Sequence, residues 1–222
     1  MTGIPEKGAP HFARITGKDK DIGGREAPFK IAPPSFSTTC ISTTEERNER
    51  MKKIMIVGSA GSGKSTLARR LGRMLDIEVI HLDAHYWKPG WIEPSEAEWL
   101  RRVERLTRRD AWIMDGNYTK TIDIRLAAAD TVIFLDFPRL LCLWRVIKRW
   151  WRNRGRSRPD LPPGCPEKID LPFLRWIWQF PQIRRPLIQE KLKHARGKRI
   201  IVLNGPREVS RYLRDLENRA AG

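Results

Sequence analysis

Residues 53–67 read K-I-M-I-V-G-S-A-G-S-G-K-S-T-L, and their order dictates how the rest of the chain is arranged. Ile54 to Val57 form a short apolar run of the kind that makes a buried strand. Gly58, Ser59, Ala60, Gly61, Ser62, Gly63, Lys64 and Ser65 then satisfy G-x-x-x-x-G-K-[ST], and Thr66 and Leu67 lead into good helix formers. Strand, glycine-rich turn and helix in this order make a phosphate-binding loop. Glycines at 58, 61 and 63 admit backbone conformations closed to other residues, so the N–H groups from Gly58 to Thr66 can turn inward on phosphate oxygens. The helix starting near Lys64 points its positive end at the same spot. Lys64, expected to be exposed in the loop, reaches the outer phosphates, and the Ser65 hydroxyl is the expected Mg²⁺ ligand.

Outward from this loop, strands and helices alternate. The first helix runs to about 75 and is closed by Asp76. A second strand over 78–82 ends at Asp83, and His85 to Trp91 form an aromatic loop with a Pro-Gly turn. Ser95 and Glu98 make a capping box for a helix over about 96–108. Trp112 to Met114 form a third strand running into Asp115-Gly116-Asn117, and a short helix follows over about 120–128. Thr131 to Leu135 form a fourth strand, with Asp136 as a turn former at its end. Leu140, Leu143, Trp144, Ile147 and Trp151 share one helical face. These tryptophans, with Trp150, Trp176 and Trp178, are expected to be core residues. Glycines and prolines interrupt 152–172, helix returns over about 173–195 with kinks at Pro181 and Pro186, and a fifth strand over 200–203 precedes a last helix. Strands alternating with helices predict an α/β fold, a three-layer α/β/α sandwich on a five-stranded parallel sheet with right-handed crossovers. Gly58, Asp83, Asp115, Asp136 and Asn204 then fall at the carboxyl ends of the strands, where such sheets bind ligands.

The first fifty residues differ from the rest. Rich in Gly, Pro, Ser and Thr and without lasting periodicity, they read as a disordered extension before a folded domain over 51–222. No run approaches the roughly 18 apolar residues of a membrane span, and no secretory h-region is present. Cys40, Cys142 and Cys165 lack paired spacing, so neither a disulfide framework nor a zinc site is expected, and a cytoplasmic location fits. The net charge of +17 calls for acidic partners.

The stretches HLDAHYWKPGW, DGNYTKT, DTVIFLDFPR and RPDLPPGCPE, together with the phosphate loop, resemble the P-loop kinases of small molecules, the adenylate kinase and shikimate kinase group. Within that group the chain is similar to bacterial proteins labelled "topology modulation protein". The likeness spans about 52–218. It implies the nucleoside monophosphate kinase-like form of the P-loop fold, with ATP and Mg²⁺ as cofactors. It also implies transfer of the γ-phosphoryl group to a small acceptor, a nucleotide or similar metabolite. Asp115 stands where adenylate kinases hold water on Mg²⁺, and Asp83 where shikimate kinases carry the acid that meets the acceptor hydroxyl. Adenylate kinases continue with Phe-Pro-Arg where this chain has Asn117-Tyr118-Thr119, which weakens the case for a nucleoside monophosphate acceptor.

By the same resemblance a lid spans about 145–172, its arginines closing on the phosphates. Arg145 corresponds to the residue packing on adenine, and Arg149 and Arg156 to arginines that stabilise the transferring group, with Arg154 and Arg158 on the same flap. Trp87 and Trp91 lie in the loop that seats the acceptor. His81 is read as a packed side chain and His85 as a loop residue. The alternative is a nucleic-acid-associated ATPase affecting DNA topology. No DNA-binding motif is visible, so nucleic-acid binding is expected to be weak and non-specific. Monomer and homodimer both remain open. A third reading of the basic, Trp-rich stretch over 140–154 is a surface helix on anionic membrane.

Overall fold

The computed structural model describes residues 51–153 and 160–221. The extension over 1–50 and the lid residues Arg154, Arg156 and Arg158 lie outside the described residues. The elements, in chain order, begin with β1 (Lys53–Gly58), α1 (Lys64–Leu75), β2 (Val79–His81) and α2 (Leu82–Tyr86). They continue with α3 (Glu96–Thr107), β3 (Trp112–Asp115), a 3₁₀ turn (Thr119–Thr121) and α4 (Ile122–Ala128). The second half holds β4 (Thr131–Leu135), α5 (Arg139–Arg152), α6 (Leu171–Lys193), β5 (Arg199–Leu203) and α7 (Pro206–Ala221).

The five strands form one sheet in the order β2-β3-β1-β4-β5, every pair parallel. Parallel strands need crossovers, and helices supply them on both faces. Strand residues alternate between two cores. Ile54, Ile56, Ile113 and Ile133 face α1, α5 and α7 through Leu67, Cys142, Val146 and Leu213. Met55, Val57, Met114 and Phe134 face α3, α4 and α6 through Trp99, Val103, Ile122 and Phe180. Because side chains alternate along a strand and both faces are covered, the strands read as continuous apolar runs. This is the expected three-layer α/β/α sandwich on a five-stranded parallel sheet.

Local chemistry sets the helix ends. Ser95 accepts a hydrogen bond from the Glu98 amide, as the capping box requires, and Asp170 does the same for Phe173 at the start of α6. Asp76 ends α1 in the left-handed conformation at φ 54°. Pro181 and Pro186 both lie inside α6. Asp136 does more than turn the chain: it pairs with Arg185 of α6 at 2.7 Å.

Two expectations are corrected. The second strand stops at His81, and Asp83 sits in the first turn of the short helix α2. Two of the three expected core tryptophans of α5 are on the outside: Trp144 is 55% and Trp151 72% exposed, and Trp178 of α6 is exposed as well. The rotation of α5 is fixed by its approach to the phosphate loop, which turns Cys142 and Val146 inward and the stripe of Leu140, Trp144, Ile147 and Trp151 outward. Trp150 is half-buried, and Trp176 packs against the buried clusters of both faces.

Candidate active site

The loop after β1, the central strand, folds largely as its glycines demand. Gly58 and Gly61 take φ values of 147° and 80°. A Cβ at Gly61 would stand 2.3 Å from the Cys142 carbonyl oxygen, so this glycine also lets the backbone of α5 rest directly on the loop. The Ser59 carbonyl gathers three donors: the Ser62 amide at 3.2 Å, the Ser62 hydroxyl at 2.8 Å and Lys64 Nζ at 3.0 Å. Gly63 caps α1, whose first turn offers amides at the loop.

Lys64 is half-buried rather than exposed. Burial lowers its pKa, while the charges of Asp115 and Asp83 oppose that shift. The ammonium therefore feels both carboxylates singled out from the sequence, which the fold delivers from two different crossovers. Arg145 Nη1 reaches the Ser62 carbonyl at 3.4 Å, and its guanidinium carbon lies 5.5 Å from the Phe137 ring.

The end of β3 is stitched to the loop by a side chain acting as extra ladder. The Gly116 amide donates to the Ile56 carbonyl at 3.2 Å. One residue on, the Asn117 amide group takes over: its Oδ1 accepts from the Gly58 amide at 3.0 Å and its Nδ2 donates to the Gly58 carbonyl at 2.8 Å. Arg125 of α4, wholly buried, donates to the carbonyls of Gly116 at 2.8 Å and Tyr118 at 3.2 Å, and to that of Asn117. Burial brings its pKa down to about 10. Thus three successive carbonyls turned away from the sheet are satisfied by one cation. Tyr118 is held at φ 29°, a strained value for a bulky residue, which the surrounding bonds sustain.

Two carboxylates then receive fixed partners. His81 Nδ1 lies 2.6 Å from Asp115 Oδ1, joining neighbours in register on β2 and β3. Burial pulls the His81 pKa down, but the Asp115 hydrogen bond and charge outweigh it, so His81 holds its proton above the ordinary range. The Tyr118 hydroxyl donates to Asp83 Oδ1 at 2.6 Å. Burial, reinforced by the Asp83 charge, pushes the Tyr118 phenol well above its usual pKa, so it remains a donor. His81 is therefore more than the packed side chain expected. Asn117 and Arg125 carry no motif that names their roles. The visible signal for Asn117 was its place just after the third strand; Arg125 had none.

Behind these groups lies an aromatic cluster. Tyr86 meets Trp87, Trp99 and Tyr118 with ring centroids 5.0, 5.0 and 4.7 Å away, and Trp87 continues to Trp91 at 5.2 Å. The chain over 160–168 docks against this loop: the Gly90 amide donates to the Gly164 carbonyl at 3.0 Å and Cys165 Sγ lies 3.3 Å from the Lys88 carbonyl. The same segment meets α5, where Arg149 Nε and Nη2 both lie 3.0 Å from Oε1 of the buried Glu167.

Among the described residues no group of three or more His, Cys, Asp or Glu side chains could hold a metal by itself. Magnesium commonly takes one or two protein oxygens and completes its shell with water and substrate phosphates. The buried Asp115 carboxylate and the Ser65 hydroxyl are hard oxygen donors of that kind. Among the described residues no helix is long and apolar enough to cross a membrane.

No family model matches the chain. The uncharacterized protein YqaC of Bacillus subtilis (strain 168) is 28% identical over 127 residues, 56% of this chain and 70% of its own length. A shikimate kinase of Vibrio cholerae serotype O1 is 27% identical over 154 residues, 63% of this chain and 81% of the kinase. Among solved structures, a shikimate kinase from Acinetobacter baumannii in complex with shikimate aligns with a TM-score of 0.46 at 20% identity, over 79% of this chain and 96% of that one. A gluconokinase from Sinorhizobium meliloti 1021 aligns with a TM-score of 0.41 at 16% identity, over 78% and 93%.

Proposed function

We propose that the chain is an ATP-dependent kinase that moves the γ-phosphoryl group to a hydroxyl of a small metabolite. The observation that carries this reading is a loop whose backbone is shaped for phosphate, flanked by two carboxylates, Asp115 and Asp83, each held by a hydrogen bond and both acting by charge on Lys64. An ATPase would share Asp115 as the acid that serves the magnesium ion; Asp83, beside it, is the carboxylate that an acceptor hydroxyl calls for. The sequence likeness to a shikimate kinase supports the same class.

In this reading the amides from Gly58 to Thr66 and the Lys64 ammonium hold the phosphates, and Arg145 lies along the adenine. Ser65 and Asp115 hold Mg²⁺, which when bound neutralises charge on the β- and γ-phosphates. Asp83 orients the acceptor hydroxyl and takes its proton as the oxygen attacks phosphorus. The Tyr118 hydroxyl, donating to Asp83 Oδ1, fixes the direction of that carboxylate. The His81–Asp115 bond orients the second carboxylate in the same way. Arg149 and Arg156 stabilise the charge spreading over the equatorial oxygens. To do so Arg149 must turn from Glu167 towards the phosphates.

The experiment is a panel of hydroxylated metabolites, with nucleosides and nucleotides included, assayed for ADP release against ATP alone and ATP with duplex DNA. The expected result is stimulation by one chemical class of small acceptor and no stimulation by DNA. Stimulation by DNA with an inert metabolite panel would replace the kinase by a nucleic-acid-dependent ATPase.

A further inference from the structure

The outward face of α5 is apolar where a surface helix is normally polar. Leu140, Trp144, Ile147 and Trp151 follow one another at helical spacing and are 67%, 55%, 42% and 72% exposed. Single exposed apolar residues are ordinary, but a continuous stripe of this kind marks an interaction surface. None of these four side chains serves the site, since α5 meets the phosphate loop through Gly61 and Arg145 on its other side.

The stripe is bordered by cations. Lys148 Nζ stands 4.6 Å from the ring centre of Trp144, and the Arg139 guanidinium 4.0 Å from that of Trp178, which α6 adds to the same surface. Lys148 and Arg152 are themselves exposed. No acid occurs anywhere between Asp136 and Asp160. Ring and cation are thus offered together at one surface, with no negative charge on the helix to offset them.

We propose that this face of α5 lies on an anionic membrane surface. Charge decides against a second copy of the chain: a two-fold contact through this stripe would press two basic helices together with no acid between them. Apolar content decides against nucleic acid, because Leu140 and Ile147 offer nothing to a phosphate backbone. A lipid interface meets every part of the face. Acyl chains take the aliphatic residues, the headgroup level takes tryptophan rings, and anionic headgroups take Lys148, Arg152 and Arg139. The helix has 14 residues, about 20 Å at 1.5 Å per residue, and lies in the interface without crossing it. The proposal stands apart from the kinase reading, since it uses none of the phosphate-loop or carboxylate residues.

The test is co-sedimentation of the full chain with phosphatidylcholine vesicles, pure or carrying about 30% phosphatidylserine. The expected result is binding to the anionic vesicles alone. It should fall about tenfold in the Trp144→Ser/Trp151→Ser double variant and in Arg139→Glu/Lys148→Glu, and several-fold at high salt. Thermal midpoint and nucleotide affinity should stay at wild-type values in both variants, so a folding defect is distinguishable. Absence of binding to anionic vesicles, equal binding to neutral ones, or binding indifferent to both variants would overturn the proposal. So would a dimer that the tryptophan variant converts to monomer, or DNA binding that this variant abolishes while vesicle binding persists.

Discussion

The two sides of the candidate site are built from different material. On the proposed nucleotide side the chain uses its backbone: glycines at positive φ, the amides of a helix start, and a carbonyl at Ser59 that gathers its own neighbours. On the proposed acceptor side it uses side chains, three of them reaching over long sequence separations. Asn117 clamps Gly58, Tyr118 holds Asp83, His81 holds Asp115, and Arg125 holds the turn that carries them. The lesson is that the shape of the first side depends on backbone conformation, with Lys64 and Ser65 adding function rather than shape, whereas the shape of the second depends on individual side chains and has little redundancy.

The largest expected effect is therefore on the acceptor side. Arg125→Met keeps the bulk of the side chain but strips three carbonyls, one buried and two half-buried, of their donor, and should cost about 3–5 kcal/mol of unfolding free energy. The urea midpoint reports it. A loss below about 1 kcal/mol would mean that the turn stands without its cation.

Next comes the backbone side. Gly61→Ala places a Cβ against the Cys142 carbonyl at a φ of 80°, and should cost about 2–3 kcal/mol. Nucleotide affinity should fall with it, since α5 and the loop must part. Ala60→Ser, beside it, should leave both nearly unchanged. If the two behave alike, the loop does not depend on conformation in the way the contrast requires.

A smaller effect is expected where the sides are joined. Asn117→Ala deletes two half-buried hydrogen bonds to Gly58 and should cost about 1–2 kcal/mol in the same urea titration. Asn117→Asp, which keeps only the acceptor towards the Gly58 amide, should fall between wild type and Ala. Equal losses for Ala and Asp would show that one bond, not the pair, forms the joint.

The smallest effect is one of pH. The folded pKa of His81 lies above its ordinary 6.5, so the stability it adds is fully present below about that pH. It is lost as pH rises through the higher folded value. His81→Asn should remove this slope, leaving unfolding free energy flatter from pH 6.5 upward. An unaltered slope would assign the titration to another group.

The same division explains what could be read from the sequence. β1, the loop and α1 are legible because their signals are contiguous: an apolar run, fixed glycine spacing, helix formers. Ser95 and Glu98 announce α3 for the same reason. Arg125 gives no such signal, because a buried cation satisfied by carbonyls seven to nine residues earlier looks like any arginine on a short helix. The His81–Asp115 pair depends on register between β2 and β3, which hydrophobic patterning alone does not supply. The tryptophans of α5 read as core in the sequence because periodicity reports which residues share a face, not which way the face turns. The backbone contact at Gly61 makes that choice.

The central claim is that Lys64 serves phosphoryl transfer beside Asp83 and Asp115, and one measurement tests it most directly. Purified wild type and Lys64→Ala are compared for ATP turnover with the stimulating acceptor, with circular dichroism and thermal midpoint as controls for folding. Losing a charged contact to the reacting phosphates should cost about 3 kcal/mol, roughly a hundredfold or more in rate, in a protein that remains folded. Turnover near the wild-type rate in the folded variant would contradict the account.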